Sequence, residues 1–314
     1  MKTRNAIAAV LTVITLFAIY RRGAEMQKPS MVYFTRDISA GGLMRVYHAL
    51  GRRATGRVAI KLHMGESGNK NFLDPELLRE FVTETKGAFV DCTVYYKGPR
   101  DNATGYARVA REHGFGYAPI DILDADGEIA LPIRDGRHLK EAIVGANYAN
   151  YDFLVSVAHF KGHEMAGFGG TFKNLAIGLA SGQTGKGAIH GDGRSMWGST
   201  GATFFEKIAE YNRAVIDDRG DKILYINVIS RLSVDCDCIE NAHVPQMADI
   251  GIMASLDPVA LDRASVDSVY DSPDPGKRHL IERIESLNGT YLLEVAETMG
   301  LGSQNYKLID LDRL

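Results

Sequence analysis

Strand-like and helix-like segments alternate along the chain between residues 57 and 270, and this alternation limits the possible folds more than any other feature. The run 152–160, DFLVSVAHF, is apolar apart from Ser156 and its end, as in a strand buried on both faces. The segment 74–87 has a helical pattern instead, with Asp74 as its predicted cap and Pro75 in its first turn. Such alternation indicates βαβ units. We predict an α/β fold with a mainly parallel sheet and helices on both faces, either as one unit or as two lobes around a Gly-rich cleft.

The other segments follow the same two patterns. Further strands are predicted at 57–64, 88–96, 222–230 and 249–255, and further helices at 102–114, 202–217 and 257–270. Ligands of open α/β sheets bind beyond the carboxyl ends of the strands. We therefore expect the residues that follow the strands to form the functional site.

The stretch 159–178, HFKGHEMAGFGGTFKNLAIG, directly follows the buried strand and holds two histidines, two lysines and five glycines. Glycine lets a backbone approach a ligand closely, and the helix predicted after Gly170 could receive an anion at its N–H groups. The spacing matches neither a Walker A loop nor a GxGxxG fingerprint. We interpret the stretch as a ligand pocket; the alternative is a flexible surface loop with solvated lysines.

Polar residues also follow two other predicted strands. His63 and Glu66 end the first, in KLHMGE, although a lone histidine is often structural. Lys97 and Arg100 follow the second, in YYKGPRDN, where the alternative is a basic turn with Asn102 as a helix cap. Because parallel strands end at the same edge, we expect these groups to converge.

The three cysteines are Cys92, Cys236 and Cys238, too few for a disulfide scaffold. Cys236 and Cys238 follow the strand 222–230, in VDCDC, with His243 nearby. Their spacing is compatible with a small strained disulfide loop, a metal-facing pair or two unrelated thiols. The CxxC spacing of a structural zinc site is absent.

Residues 1–30 differ from the rest of the chain. A basic start, MKTRN, precedes a continuous apolar run from Ala6 to Tyr20, which a polar segment follows. As a helix this run rises about 22 Å, short of the roughly 30 Å hydrocarbon core of a bilayer. We predict a signal peptide or an uncleaved N-terminal membrane anchor, and hence an exported or envelope-anchored protein. The alternative is a buried N-terminal helix.

The net charge of -3 argues against a general nucleic-acid-binding protein, which is usually basic. We expect a small-molecule ligand, no nucleic acid, and membrane contact only through residues 1–30 if they are retained. Residues 31–314 are predicted to form the functional α/β domain.

Five blocks of the sequence, in order, resemble the signature blocks of a prokaryotic family known as domain of unknown function 362. They are IKLHMGE, NATGYARVAREHGF, the stretch 159–178, VDCDC and DIGIMASLDPVALDRASVD. The resemblance covers roughly residues 31–270. Many members carry inserted ferredoxin motifs after the block around His190, but this chain has no cysteine there. We therefore expect no ferredoxin clusters at that position of this chain.

A more distant resemblance connects the chain to the lactate racemases, which use a nickel-pincer nucleotide. It implies that His163, Lys173 and His190 lie near positions of the nickel and cofactor residues. The chain has Tyr106 or Ala107 where that family has a catalytic histidine, a departure from two-histidine racemisation.

We predict a metal- or cofactor-dependent enzyme of redox type, with a metal ion or phosphate-bearing cofactor in a Gly/His/Lys-rich pocket. The alternative is a membrane-anchored protein that binds an anion or metal without turnover. The catalytic candidates are Lys173, His163 and His190, and the metal candidates are His159, His163, Cys236 and Cys238. The cofactor-binding candidates are Lys61, His63, Lys97, Arg100, Lys161, Gly167, Gly169, Gly170 and Asn174.

Overall fold

The computed structural model describes residues 28–314. Eight strands form its central sheet: β1 (Ser30–Thr35), β2 (Val58–Lys61), β3 (Ala88–Asp91), β4 (Ile120–Ile122), β7 (Phe153–His159), β10 (Ile223–Ile229), β11 (Gly251–Ser255) and β12 (Tyr306–Asp310). Two hairpins lie outside it, β5 (Glu128–Pro132) with β6 (Glu141–Gly145), and β8 (Lys161–His163) with β9 (Gly167–Gly169). The order across the sheet is β12-β1-β11-β10-β7-β2-β3-β4.

The helices fall largely where the sequence predicts them. They are α1 (Ala40–Ala49), α2 (Arg79–Thr85), α3 (Ala103–Glu112), α4 (Thr171–Leu179), α5 (Thr184–His190), α6 (Gly201–Arg219), α7 (Pro258–Asp271), α8 (Lys277–Ser286) and α9 (Tyr291–Thr298). Asn102 caps α3 by accepting from the Gly105 N–H at 2.9 Å. Asp74 caps a 3₁₀ turn, Pro75–Leu78, so the predicted helix 74–87 begins with a 3₁₀ segment before α2.

The sheet is mainly parallel, as predicted. Five neighbouring strands are parallel to one another: β10, β7, β2, β3 and β4. Strand β11 is antiparallel to both of its neighbours, β1 and β10. The chain between Ser230 and Ile250 forms no helix that would return it to the opposite edge. The next strand therefore enters the sheet from the edge where β10 ends.

Buried apolar side chains pack on both faces of the sheet. One cluster joins the sheet to α4, α6, α7 and α9, and the other joins it to α1, α2 and α3. Every residue of β7 and β10 is buried, because helices cover both faces of these central strands. The predicted helices on both faces are confirmed.

The predicted signal or anchor at residues 1–30 lies outside the described residues except for its last three. From residue 28 onward, none of the helices is both long enough and apolar enough to span a bilayer.

Candidate functional site

A cavity of about 370 Å³ lies at the carboxyl edge of the sheet, where β2, β3 and β7 end. The β8–β9 hairpin and helices α4 and α5 complete its wall. Twelve of the candidate residues line it: Lys61, His63, Arg100, His159, Lys161, His163, Gly169, Gly170, Lys173, Asn174, His190 and Cys238. The polar ends of separate strands therefore do meet at one edge, because parallel strands carry the residues that follow them to the same side.

Three candidate residues lie outside the lining. The Lys97 side chain is 93% exposed and pairs with Asp101. Gly167, in the hairpin, packs against the backbone of Gly289, which a Cβ atom at Gly167 would approach to 3.1 Å. Cys236 is buried behind the wall, 1% exposed. Neither Lys97 nor Gly167 therefore lines this cavity.

Lys61 is a fully buried amine at the end of β2. Its Nζ donates to Asn174 Oδ1 at 2.9 Å and lies 3.4 Å from Asp91 Oδ1. A side chain at Gly178 would block this position, because a Cβ atom there would lie 1.8 Å from Lys61 Cε. Burial lowers the pKa of Lys61 to about 8, although Asp91 opposes the shift. Lys61 is therefore a group that can exchange a proton near neutral pH.

Arg100 forms a buried cluster with Glu66, Tyr96 and His63. Its Nε donates to Glu66 Oε2 at 3.0 Å, and its Nη2 donates to the Tyr96 hydroxyl at 2.6 Å. Arg100 Nη1 lies 3.1 Å from His63 Nε2. Burial and the neighbouring guanidinium hold the pKa of His63 well below its usual value. The predicted pair of His63 and Arg100 is thus brought together, with His63 as a neutral ring.

His159 has both ring nitrogens engaged by the protein. Nδ1 lies 2.9 Å from Asp237 Oδ2, and Nε2 lies 2.6 Å from the Ser230 carbonyl oxygen. Lys161 Nζ also contacts Asp237 Oδ2, at 2.8 Å. A carboxylate and a carbonyl only accept, so the ring donates from both nitrogens and has no lone pair for a metal. The prediction of His159 as a metal ligand does not fit this geometry, and His159 instead anchors Asp237.

The other three metal candidates lie together. One ligand atom each of His163, Cys236 and Cys238 lies within 4.8 Å of the others. Within the described part of the chain, all three cysteines are free thiols. A hydrogen bond from Cys238, together with Lys173, Lys161 and His163, lowers the pKa of Cys236 well below its usual value although burial opposes this. The same pairing raises the pKa of Cys238. Cys236 is thus the more acidic thiol of the pair.

His190 lies on α5 with its Nδ1 2.9 Å from the Lys186 carbonyl oxygen. Burial lowers the pKa of His190 to about 3, so the ring is neutral. Because Nδ1 donates to the carbonyl, Nε2 carries the lone pair. The predicted catalytic role of His190 remains a prediction, but its protonation state suits an acceptor or a ligand.

The N-terminus of α4 does not offer the open anion site that the sequence suggested. Asp262, fully buried on α7, accepts from the Thr171 N–H at 2.8 Å and from the Phe172 N–H at 3.1 Å. Asn227 donates to the same carboxylate at 2.8 Å. A carboxylate of the protein therefore takes the N–H groups that an anion would use, and it fixes the helix that carries Lys173 and Asn174.

Two buried charged residues that line the cavity are absent from the candidates. Asp91 ends β3 and bridges Lys61 and the Tyr106 hydroxyl, and its only sequence signal is its place at a strand end. Lys186, on α5, lines the cavity at 5% exposure. It lies between Gly185 and Gly187, beyond the stretch 159–178, and nothing in its spacing distinguishes it from a surface lysine.

Comparisons with known proteins place the chain in a family. No curated protein sequence gives a significant match. Among solved structures, the chain is similar to the lactate racemase apoprotein from Thermoanaerobacterium thermosaccharolyticum, with a TM-score of 0.45 and 13% identity over 76% of this chain and 56% of that one. It is also similar to a protein from Thermotoga maritima, with a TM-score of 0.43 and 11% identity over 74% of this chain and 58% of that one. The chain thus spans less than two thirds of the length of either protein.

The family model described as "Domain of unknown function (DUF362)" matches residues 58–267. This range contains all of the cavity-lining residues named above and the cysteine pair. The chain therefore belongs to the DUF362 family.

Proposed function

We propose that the protein is a cofactor-dependent enzyme of redox type whose cavity binds an anionic small molecule. The observation that carries this proposal is Lys186. Its side chain is buried at the cavity wall, and its Nζ donates to the Ala180 carbonyl oxygen at 2.6 Å. No carboxylate of residues 28–314 lies within ion-pair distance of it. A buried ammonium without a counter-charge is costly, and an anionic ligand would supply that charge.

The other cations of the wall are already matched by the protein. Lys61 pairs with Asp91, Arg100 with Glu66 and Lys161 with Asp237. Lys173 has a sulfur rather than a carboxylate beside it, Cys236 Sγ at 3.9 Å. Lys173 and Lys186 are therefore the two lysines that we assign to the ligand's anionic group.

Apolar and aromatic side chains supply the rest of the wall. Tyr95, Ile177 and Trp197 line the same cavity, and the Tyr95 and Trp197 rings pack edge to face at 5.4 Å between centroids. Pockets of this size usually combine such surfaces with a few polar groups that orient the ligand. We therefore propose a ligand that joins a phosphate or carboxylate group to an apolar or aromatic part.

Turnover, rather than binding alone, is supported by the buried titratable groups. Lys61 has a pKa of about 8, and His190 is a neutral ring with a free nitrogen lone pair. Groups whose pKa is strongly shifted at a cavity wall are typical of proton-transfer sites. In the proposed enzyme, Lys61 would move protons, His190 would accept a hydrogen bond, and Lys173 and Lys186 would hold the anionic group.

The test is ligand binding by the full chain, with pyrophosphate and a mononucleotide as probes. We expect saturable binding of both in calorimetry and a matching rise in the unfolding temperature. Lys186→Ala should weaken binding at least about tenfold, equivalent to roughly 1.4 kcal/mol. Lys222→Ala is the matched control, because Lys222 is exposed and away from the cavity. Equal affinity of Lys186→Ala and wild type, or no binding of either probe, would refute the proposal.

A further inference from the structure

Cys236 and Cys238 flank Asp237 on a turn that hydrogen bonds and ion pairs hold in place. The Ile239 N–H closes the turn on the Cys236 carbonyl oxygen at 3.1 Å. The Asp237 carbonyl oxygen accepts from the Glu66 N–H at 2.8 Å, and the Asp237 side chain is held by His159 and Lys161. Because Asp237 is buried and has several partners, the two flanking thiols are held next to each other.

The two thiols differ in exposure. Cys236 is 1% exposed, whereas Cys238 is partly exposed and lines the cavity. Lys173 Nζ lies 3.9 Å from Cys236 Sγ, so a cation stands beside the buried sulfur. One thiol that a ligand can reach and one buried partner beside it are the elements of a dithiol that exchanges with a disulfide.

The orientation of His163 decides between such a dithiol and a metal centre. The N–H groups of Met165 and Ala166 both donate to His163 Nδ1, each at 3.1 Å. A ring nitrogen that accepts hydrogen bonds carries no proton, so the neutral ring has its proton on Nε2. Metal binding through Nε2 requires a lone pair on that nitrogen, whereas a neighbouring thiolate is stabilised by an N–H group. The geometry therefore favours sulfur chemistry without a metal.

We infer that Cys236 and Cys238 form a reversible dithiol–disulfide couple that reacts with a small anionic disulfide in the cavity. The proton that the two sulfurs share moves to Cys236, and the Cys238 thiolate attacks one sulfur of the substrate R–S–S–R. A Cys238–S–S–R bond forms and the first RS⁻ leaves. That thiolate takes the proton from Cys236, whose sulfur then attacks Cys238 and expels the second RS⁻. The substrate gains two electrons and leaves as RSH and RS⁻, while the protein is oxidised to the Cys236–Cys238 disulfide.

The anionic character of the substrate rests on the function proposed above, whereas the dithiol couple does not. Dithiodipropionate and cystamine serve as probes, because both are short symmetrical disulfides and they carry opposite charges. The reduced full chain is mixed with each probe, quenched by alkylation and digested, and the cysteine peptides are measured by mass spectrometry. We expect a Cys236–Cys238 disulfide that dithiothreitol reverses. It should form several-fold faster with dithiodipropionate, because Lys173 and Lys186 together outweigh the Glu164 carboxylate, which lies 4.0 Å from Cys238 Sγ.

Three variants locate the reaction. Cys236→Ser should stop at a mixed disulfide on Cys238, because no second sulfur remains to expel the thiol. Cys92→Ser is the control for the third cysteine. Cys92 also lines the cavity, but its thiol donates to the Leu179 carbonyl oxygen, so the Cys236–Cys238 disulfide should still form in this variant. His163→Gln keeps an N–H donor but is a poor ligand for soft metals. It should keep more of the wild-type rate than His163→Ala, which should react several-fold more slowly than wild type.

Two results would overturn the dithiol couple. One is that Cys236 and Cys238 both stay alkylatable after treatment with either disulfide. The other is that one equivalent of a divalent metal protects both thiols and is lost from His163→Gln, which would identify a metal centre. Equal rates with the two disulfides would instead refute the anionic substrate and leave the couple standing. Oxidation without any binding of pyrophosphate would separate the couple from the proposed function in the same way.

Discussion

Replacing Asp237 by asparagine should destabilise the protein strongly, because two cationic partners would lose their counter-charge inside the fold. Asp237 Oδ2 lies 2.8 Å from Lys161 Nζ and 2.9 Å from His159 Nδ1, and the three side chains are at most 7% exposed. Breaking a buried ion pair by removing one partner costs about 3–5 kcal/mol. With an unfolding entropy of about 2.1 cal/mol/K per residue, a chain of 314 residues should then lose roughly 5–8 °C in its unfolding temperature.

The assay is urea and thermal unfolding of Asp237→Asn, Lys161→Met and the double variant. Lys161→Met removes one of the cations, so the loss in the double variant should be clearly smaller than the sum of the single losses. Asp235→Asn is the control two residues away. Its partners His243 and Arg283 are 69% and 27% exposed, so the change should cost clearly less than Asp237→Asn.

The effect also has a definite pH dependence. Burial opposes ionisation of Asp237, but His159 and Lys161 outweigh it and hold the pKa of Asp237 below its usual value. A lowered folded-state pKa gives stability that is present above the unfolded pKa of about 3.9 and is lost as the pH falls through the folded pKa. The difference between wild type and Asp237→Asn should thus be full near neutral pH and shrink below about pH 4. Additive losses, or a variant within about 0.5 kcal/mol of wild type, would refute the anchoring role.

Two further predictions concern the cavity wall. Lys61 has a pKa of about 8, so its ammonium is lost as the pH rises through that value. Sulfate, whose own charge stays constant, should therefore bind several-fold more weakly at pH 9 than at pH 7 in calorimetry. An equal loss of sulfate affinity between pH 7 and pH 9 in Lys61→Met would contradict this. In Gly178→Ala the new Cβ atom would lie 1.8 Å from Lys61 Cε, so denaturant unfolding should show a loss of about 1–3 kcal/mol together with weaker sulfate binding. The helical control Gly41→Ala, whose Cβ atom would meet only Ser39 Oγ at 3.6 Å, should be neutral or stabilising, and equal stabilities of the two variants would argue against the close contact at Gly178.

Local patterns in the sequence were sufficient for the fold class and for the edge at which the site lies. The buried run that became β7 and the caps Asp74 and Asn102 are read from adjacent residues, so each element could be placed before any contact was known. Once the strands are taken as parallel, the residues after them must meet at one edge. This reasoning placed His63, Arg100, His163 and the cysteine pair together correctly.

Only the tertiary structure decided which atoms of these residues are available. Both ring nitrogens of His159 form hydrogen bonds, one with Ser230 and one with Asp237, which are 71 and 78 positions away. Asp262, 91 positions from Thr171, takes the helix N–H groups that seemed open to an anion. Lys186 differs from an exposed lysine such as Lys97 only through the walls that bury it. Periodicity and spacing report local conformation, whereas the charge, the protonated nitrogen and the free lone pair of a side chain are set by partners distant in the sequence.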